Sequence, residues 1–404
     1  MAHWSDGFRS ADGDGPLKGI RVLDLGRYQA GPRCGLVFAR LGADVIKIEP
    51  PGRGDESRGN PPRVRGQSAY WVQYNSGKRS LSLNLRTDAG KEVLRDLVRV
   101  SDVLIQNFRP GTIDKMGFGY DQLRELNRGI VMVNISAYGQ YGPFRDRVGF
   151  DQVGQAMSGL MSLNGEPEGK PVLVPFPLVD RITSLHAAIG ALAALRERER
   201  SGEGQAIEVC LADSAYSTVE IPVSAFLGDG QIPERTGNQY HLANMFETSD
   251  GHVYLANYAS DNIFPRLAQT IGHPEWEGDS RFADRWSRHE NNGICEAALV
   301  NWFLERSSGD AVAALNAADV PCAPVNTVPQ SAVDPHVAER DVMVEVPDPA
   351  AGSIHVTGRM IKFNRSGMPV GPPPAVGEHA DAVLSELLGK SQAEIQSLRD
   401  QGVV

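Results

Sequence analysis

The chain opens on an alternation of strand and helix signals, and that alternation restricts its fold more than any other feature. IRVLDL at 20–25 reads as a strand, GRYQAGPRCG at 26–35 as a glycine-rich turn, and a helix follows to about Leu41. ADVIKIE is then a second strand, so the first fifty residues spell a βαβ unit. Pro32 suits the first turn of that helix, where its missing N–H would have no partner anyway. The pattern recurs. SLSLNL at 80–85 is a strand, and 88–100 is a helix with Val93, Leu94, Leu97 and Val100 on one side. SDVLIQNF and GIVMVNISAYG are further strands. Strands separated by helices predict an α/β fold with a mostly parallel, doubly wound sheet.

Further along, a Pro/Gly-rich approach, SGLMSLNGEPEGKPVLVPFPLVD, ends at Asp180. A helix is expected from Ile182 to about Arg200, with a charged end, RERER, suited to a helix C-terminus. QAIEVCLAD starts another strand and leads into a helix. The texture changes near 225–250, where FLGDGQIPERTGNQ is loop-like and HVYLANY reads as an exposed strand pair. From 260 to 320 the chain looks helical and amphipathic. PCAPVNTVPQ and the Pro-rich run 346–374 look like a crossing back, and a helix from Ala380 to Leu388 returns to the first domain. The expected division is a large domain over 1–222, a small domain over 223–328 and a return segment over 329–404. With 404 residues the chain exceeds the ~250–300 at which single cores stop growing, in keeping with two domains. No internal repeat is visible.

The net charge of −10 argues against general nucleic-acid binding. The four cysteines, Cys34, Cys210, Cys295 and Cys322, form no CxxC pair, so neither a zinc site nor a disulfide scaffold is expected. A reduced cytoplasmic setting fits. MAHWSDGFRSADGDGP does not read as a signal or transit peptide. The apolar run Leu185–Leu195, interrupted by His186, is too short to span a bilayer, and no membrane partner is expected.

Several places carry candidate chemistry. The turn Gly26–Pro32 feeds a helix N-terminus, a natural place for an anion, and Glu49 ends the second strand where a ribose-binding acid would sit in a dinucleotide fold. Gly26, Gly31 and Gly35 do not make GxGxxG, however, and Pro32 removes a donor, so a plain tight turn is an equal reading. Basic residues are spread over the loops: Arg53, Arg58, Arg63, Arg65, Lys78, Arg79, Arg86, Arg109 and Lys115. Tyr70, Trp71 and Phe108 are interleaved with them. Together they suit a phosphorylated ligand with an aromatic base, although a solvated surface is the default for any single arginine. Asp180 fits a helix N-cap and equally a poised carboxylate nucleophile. His186, His241, His289 and His379 show no metal spacing, so structural roles are expected. There is no GxSxG elbow, and Cys34 lacks a nucleophile signature.

These residues also resemble a known family. LKGIRVLDLGRYQAGPRCGLVFARLGADVIKIEPPGRGDESR is similar to the start of the family III CoA-transferases, the formyl-CoA transferase and carnitine CoA-transferase group related to acyl-CoA racemases. YNSGKRSLSLNL, DVLIQNFRPGTIDKMGF, ISAYGQYGP and GFDQVGQAMSG resemble its next motifs. LVDRITSLHAAIGALAALRERERSGEGQ resembles the stretch with the catalytic aspartate, and PCAPVNTVPQSAVDPHV with VGEHAD its C-terminal part. The likeness runs from about 17 onward. It implies a Rossmann-like large domain with a parallel sheet, a smaller inserted α+β domain and two subunits interlocked as rings, expected as a homodimer with a heteromer possible. It implies catalytic roles for Asp180 as nucleophile and for Gln29. By the same likeness Arg27, Tyr28, Ala30, Tyr70, Arg86, Asn107, Phe108, Lys115, Met116 and Tyr138 line the CoA site.

No permanently bound cofactor and no metal are expected. Coenzyme A or an acyl-CoA is the substrate, with succinyl-CoA or acetyl-CoA as donor and a carboxylic acid as acceptor. The expected path runs through an aspartyl anhydride and an aspartyl-CoA thioester. Two departures stand out. Phe150 occupies the place where the related racemases carry His, which argues for transfer over racemisation or epimerisation. TGNQYHLANMFETSDG lacks the glycine run of formyl-CoA transferase and points to another acid. A CoA-binding subunit of a heteromeric transferase also fits the motifs, although the intact Asp180 speaks against it. The missing GxGxxG speaks against an NAD-dependent dehydrogenase.

Overall fold

The computed structural model describes residues 14–239 and 243–404. His241, part of TGNQYHLANMFETSDG and most of the N-terminal stretch lie outside the described residues. The chain divides into two compact units. One holds the chain up to Leu160, Leu173–Val223 and Pro335–Val404, and the other holds Met161–Val172 with Ser224–Asp334.

The first unit is built on six strands: β1 (Arg21–Asp24), β2 (Asp44–Glu49), β3 (Arg79–Ser82), β4 (Val103–Gln106), β5 (Val131–Ser136) and β6 (Ala206–Cys210). Their order across the sheet is β3-β2-β1-β4-β5-β6, and every pairing is parallel. This is the doubly wound Rossmann order, as the alternation predicted. The period-2 alternation of each strand sends residues to two opposite cores. Val22, Val45, Val103, Ile105, Val131 and Val133 pack with α1 (Ala30–Arg40) and, further along the chain, with the long helix Leu178–Ser201. Leu23, Ile46, Leu81, Leu104 and Met132 face the other layer. There they meet a helix over Asp88–Arg99 and two C-terminal helices, Ala380–Leu388 and Gln392–Asp400. The chain's end thus completes the first unit's core.

Three expectations need adjustment. The long helix starts at Leu178 rather than Ile182, and its N-cap is Pro177. It runs for 24 residues and is long and apolar enough to cross a membrane by length and composition, unlike the shorter run expected. It behaves as a core helix, burying Ala187, Ala188, Ala191, Ala194 and Leu195 against the sheet. The Pro-rich run 346–374 is not all connection, because Met343–Asp348 pairs antiparallel with Gly352–Thr357 and packs on Trp71 and Val72.

The second unit has a three-stranded antiparallel sheet in which Gly251–Leu255 lies between Asn244–Thr248 and Cys322–Pro324. The helical 260–320 stretch supplies its core. Phe246 stacks on Phe303 at 4.9 Å, and Phe264 stacks on Trp276 at 5.8 Å.

Candidate active site

In an open parallel sheet the crevice lies at the carboxyl ends of the strands where the winding reverses. Here that point is between β1 and β4. The loop after β1 and the loop after β4 are stitched together there: Asn107 accepts from the Arg27 N–H at 2.7 Å and donates to the Arg27 carbonyl at 2.8 Å. The turn folds this tightly because two glycines meet. A Cβ on Gly26 would lie 2.8 Å from the Gly31 Cα. Tyr28 adopts the left-handed region with φ 59°, a costly conformation for a non-glycine residue, and its ring is partly exposed.

Two buried lysines hold this turn from below. Lys47 donates to the Gly26 carbonyl and pairs with Asp55 at 3.2 Å. Lys78 bonds Asp24 and the Pro32 carbonyl, each at 2.7 Å, and Asn75 at 2.9 Å. Asp24 in turn accepts from the Gly26 N–H at 2.8 Å. Both lysines and Asp24 are fully buried.

Gln29 is the N-cap residue of α1 and is only 1% exposed. Its Nε2 donates to the Pro177 carbonyl at 3.3 Å, while its Oε1 is buried with no partner. This contact joins the start of α1 to the start of the long helix. Asp180 sits there, on the first turn. It does not cap the helix, so the N-cap reading is corrected: Pro177 takes that place, which leaves the Asp180 carboxylate free of backbone capping. The Asp180 N–H instead donates at 2.9 Å to Asp151, a buried acid on the helix Asp151–Met157. Asp151 also accepts from Gln155 at 2.6 Å. Burial, and then the Asp151 charge, push the Asp180 carboxyl up to about 7. Among the described residues no donor bonds its carboxylate oxygens.

Tyr70 belongs to the same neighbourhood. Burial and then Asp180 raise its phenol well above the ordinary range, and its ring meets Tyr74 edge-on at 5.0 Å.

The remaining expected residues are less concentrated. Arg27 pairs with Glu56, and its guanidinium lies 5.8 Å from the Tyr28 ring. Ala30 is buried in the core. Phe108 and Met116 pack against the opposite core. Tyr138 meets Phe144 edge-on at 5.9 Å. Arg86 and Lys115 are exposed and, among the described residues, have no side-chain partner. A cavity of about 150 Å³ beside Trp71 and Asp348 is not lined by Asp180 or Gln29.

The dinucleotide candidate fails on geometry. Glu49 is consumed inside the fold by Arg58 at 2.7 and 2.8 Å, Ser80 at 2.6 Å and the Asp55 N–H at 2.9 Å, leaving nothing for a ribose. Arg58 also lies 3.7 Å over the Trp71 ring. Arg79 is taken by Asp44, and Arg63 and Arg65 by nearby carbonyls. Burial pushes the Cys34 thiol up, which makes it inert. His186 bonds Ser214 at 3.2 Å, and His379 accepts from the Ser80 N–H at 3.2 Å. Asp151 and Lys47 had no place among the expected site residues, and Lys78, expected among the loop cations that suit a phosphorylated ligand, is instead buried and paired with Asp24. Their one signal was that strand and loop positions otherwise apolar or small carry a charge.

A family model described as CoA-transferase family III matches residues 17–380. This chain belongs to family III of the CoA-transferases. It is 34% identical over 396 residues to a succinyl-CoA–D-citramalate CoA-transferase of Chloroflexus aurantiacus, covering 96% of this chain and 98% of that one. It is also 34% identical over 397 residues to the succinyl-CoA–L-malate CoA-transferase beta subunit of the same organism, with 96% and 98% covered. A crystal structure of a CAIB/BAIF family protein from Brucella suis superposes with TM-score 0.81 at 32% identity, over 93% of this chain and 100% of that one. The protein is therefore an enzyme of the CoA-transferase type, acting on CoA thioesters.

Proposed function

We propose that this CoA-transferase moves CoA from a donor acyl-CoA, succinyl-CoA in the first instance, to a carboxylic acid, with Asp180 as nucleophile. The observation that carries this is the Asp180 carboxylate: half-buried, without a donor among the described residues and raised to about 7, it is more basic and less stabilised than an ordinary aspartate. It attacks the thioester carbonyl, forming an aspartyl–acyl anhydride and releasing CoA thiolate. The thiolate attacks the aspartyl carbonyl, giving an aspartyl-CoA thioester and the first free acid. The acceptor carboxylate attacks that thioester and forms a second anhydride, again with thiolate released. Thiolate attack on the acceptor's acyl carbonyl yields the new acyl-CoA and restores the Asp180 carboxylate.

Gln29 supports the developing oxyanions. Its bond to Pro177 is long at 3.3 Å, so a turn of the amide presents its N–H to the reacting centre. The unpaired Arg86 and Lys115 follow the carboxyl ends of β3 and β4 and suit the CoA phosphates. Arg27, Tyr28, Tyr70, Asn107 and Tyr138 belong to the same groove, and Ala30, Phe108 and Met116 shape it from the core. We further assign residues 1–222 and 329–404 to a CoA-binding domain and 223–328 to a smaller one, in an interlocked dimer.

Asp180→Ala is expected to abolish transfer while CoA still binds, and hydroxylamine is expected to trap the aspartyl-CoA ester only in the unsubstituted chain. Full activity in Asp180→Ala would falsify the nucleophile assignment. The same incubation in deuterated water reads out racemisation as label at the α-carbon. Activity of the isolated chain separates a complete enzyme from a subunit of a heteromer.

A further inference from the structure

α1 and the long helix start side by side, tied by Gln29 and Pro177. One turn on from each of these two residues stands an arginine, Arg33 and Arg181, since residues four apart share a helix face. Arg181 also directly follows Asp180. The Nε of each arginine is buried, and neither has a hydrogen-bond partner. Among the described residues neither guanidinium makes an ion pair. Arg181 has only the Phe176 ring, 5.3 Å away. Burial and then the Arg181 charge lower the basicity of Arg33, so each cation lies within the field of the other. Other buried or half-buried arginines here have anionic partners, Arg58 with Glu49, Arg288 with Asp261 and Arg359 with Asp341, whereas the buried Arg40 has only the Ser76 hydroxyl and the Thr357 carbonyl and keeps two bare nitrogens. Arginine does not shed its proton to escape burial, so two uncompensated guanidinium groups call for an anion.

We infer that Arg33 and Arg181 form a subsite for the distal carboxylate of a dicarboxylic acyl group, so that the enzyme selects dicarboxylic acids and their CoA thioesters. The location sets the chemistry. Arg181 follows the nucleophile in the chain, and both arginines stand on the two helix starts that carry Gln29 and Asp180, the region the acyl end of the thioester enters. The forked donors of arginine match a carboxylate in a way a single ammonium does not. The inference rests on Asp180-dependent CoA transfer and adds the class of acid.

The test compares succinyl-CoA with propionyl-CoA, two donors with the same CoA portion, in the native chain and in Arg33→Gln, Arg181→Gln and Arg181→Lys. The readout is the ratio of the two kcat/KM values. Loss of a charged hydrogen-bond donor is expected to lower that ratio by about 10- to 100-fold in each Gln variant, mainly through succinyl-CoA. Arg181→Lys is expected to recover part of it. Far-ultraviolet circular dichroism checks that each variant is folded. A ratio unchanged in folded variants, with both donors slowed equally, overturns the subsite and points to the CoA phosphates or to a carboxylate of a second chain. Absence of transfer from either donor in the native chain would instead refute the underlying reading of function.

Discussion

Replacing Asp180 with Asn is expected to make the protein more stable near neutral pH while removing its transfer activity. The carboxyl ionises at 3.8 in the open and at about 7 in the fold. A proton held more tightly in the folded state means that folding becomes less favourable as the unfolded chain loses that proton. Below pH ~4 both states are protonated and no penalty exists. The penalty grows between about 4 and 7 and is constant above. At ~1.4 kcal/mol per pH unit the ceiling is ~4 kcal/mol, and because Asp180 is only half-buried, ~1–3 kcal/mol is the expected size. Asn keeps the shape and discards the charge.

The assay is equilibrium denaturation of both proteins from pH 4 to pH 8. Every other titrating group is common to both, so the difference isolates Asp180. The variant should match the native chain at pH 4 and exceed it at pH 8. A difference flat across this range, or a variant less stable at pH 8, would refute the claim that the site strains its own nucleophile. Such a gain in stability at the expense of activity is a recognised signature of functional sites.

Three other perturbations follow from the same geometry. The native enzyme should lose transfer rate about tenfold per pH unit below 7, and Asp151→Asn should move that limb to lower pH, since Asp151 is the second cause of the raised value; a pH–rate profile left in place contradicts this. Lys78→Met leaves Asp24 buried without its 2.7 Å partner and should cost ~3–5 kcal/mol in denaturant unfolding, with less than ~1 kcal/mol counting against the network under the turn. Gly26→Ala puts a Cβ 2.8 Å from the Gly31 Cα and 2.9 Å from Asp24 Oδ1. Neither can yield, so ~1–3 kcal/mol of stability and most transfer activity should be lost. Native-like kinetics in that variant would show that the turn has room.

The amino-acid sequence by itself determined the parallel sheet, because strand and helix periodicities are local and each βαβ unit repeats them. It also pointed to the turn Gly26–Pro32 and to Asp180, because glycines at a strand end and an acid beside Pro-rich chain are local signals too. The likeness to the CoA-transferases rested on the same ordered segments, and the family model's match over residues 17–380 bears it out. What the sequence could not decide was pairing. Glu49 looked available for a ribose until Arg58, Ser80 and the Asp55 backbone were found around it. Asp180 looked like a cap until Pro177 took that place. Lys47 and Lys78 lie thirty-one residues apart in the chain yet hold up one turn. Nothing in the sequence singles out Arg33 or Arg181, and only the packing of α1 on the long helix brings them into one neighbourhood. Charge and burial depend on partners distant in sequence, and tertiary structure alone supplies them.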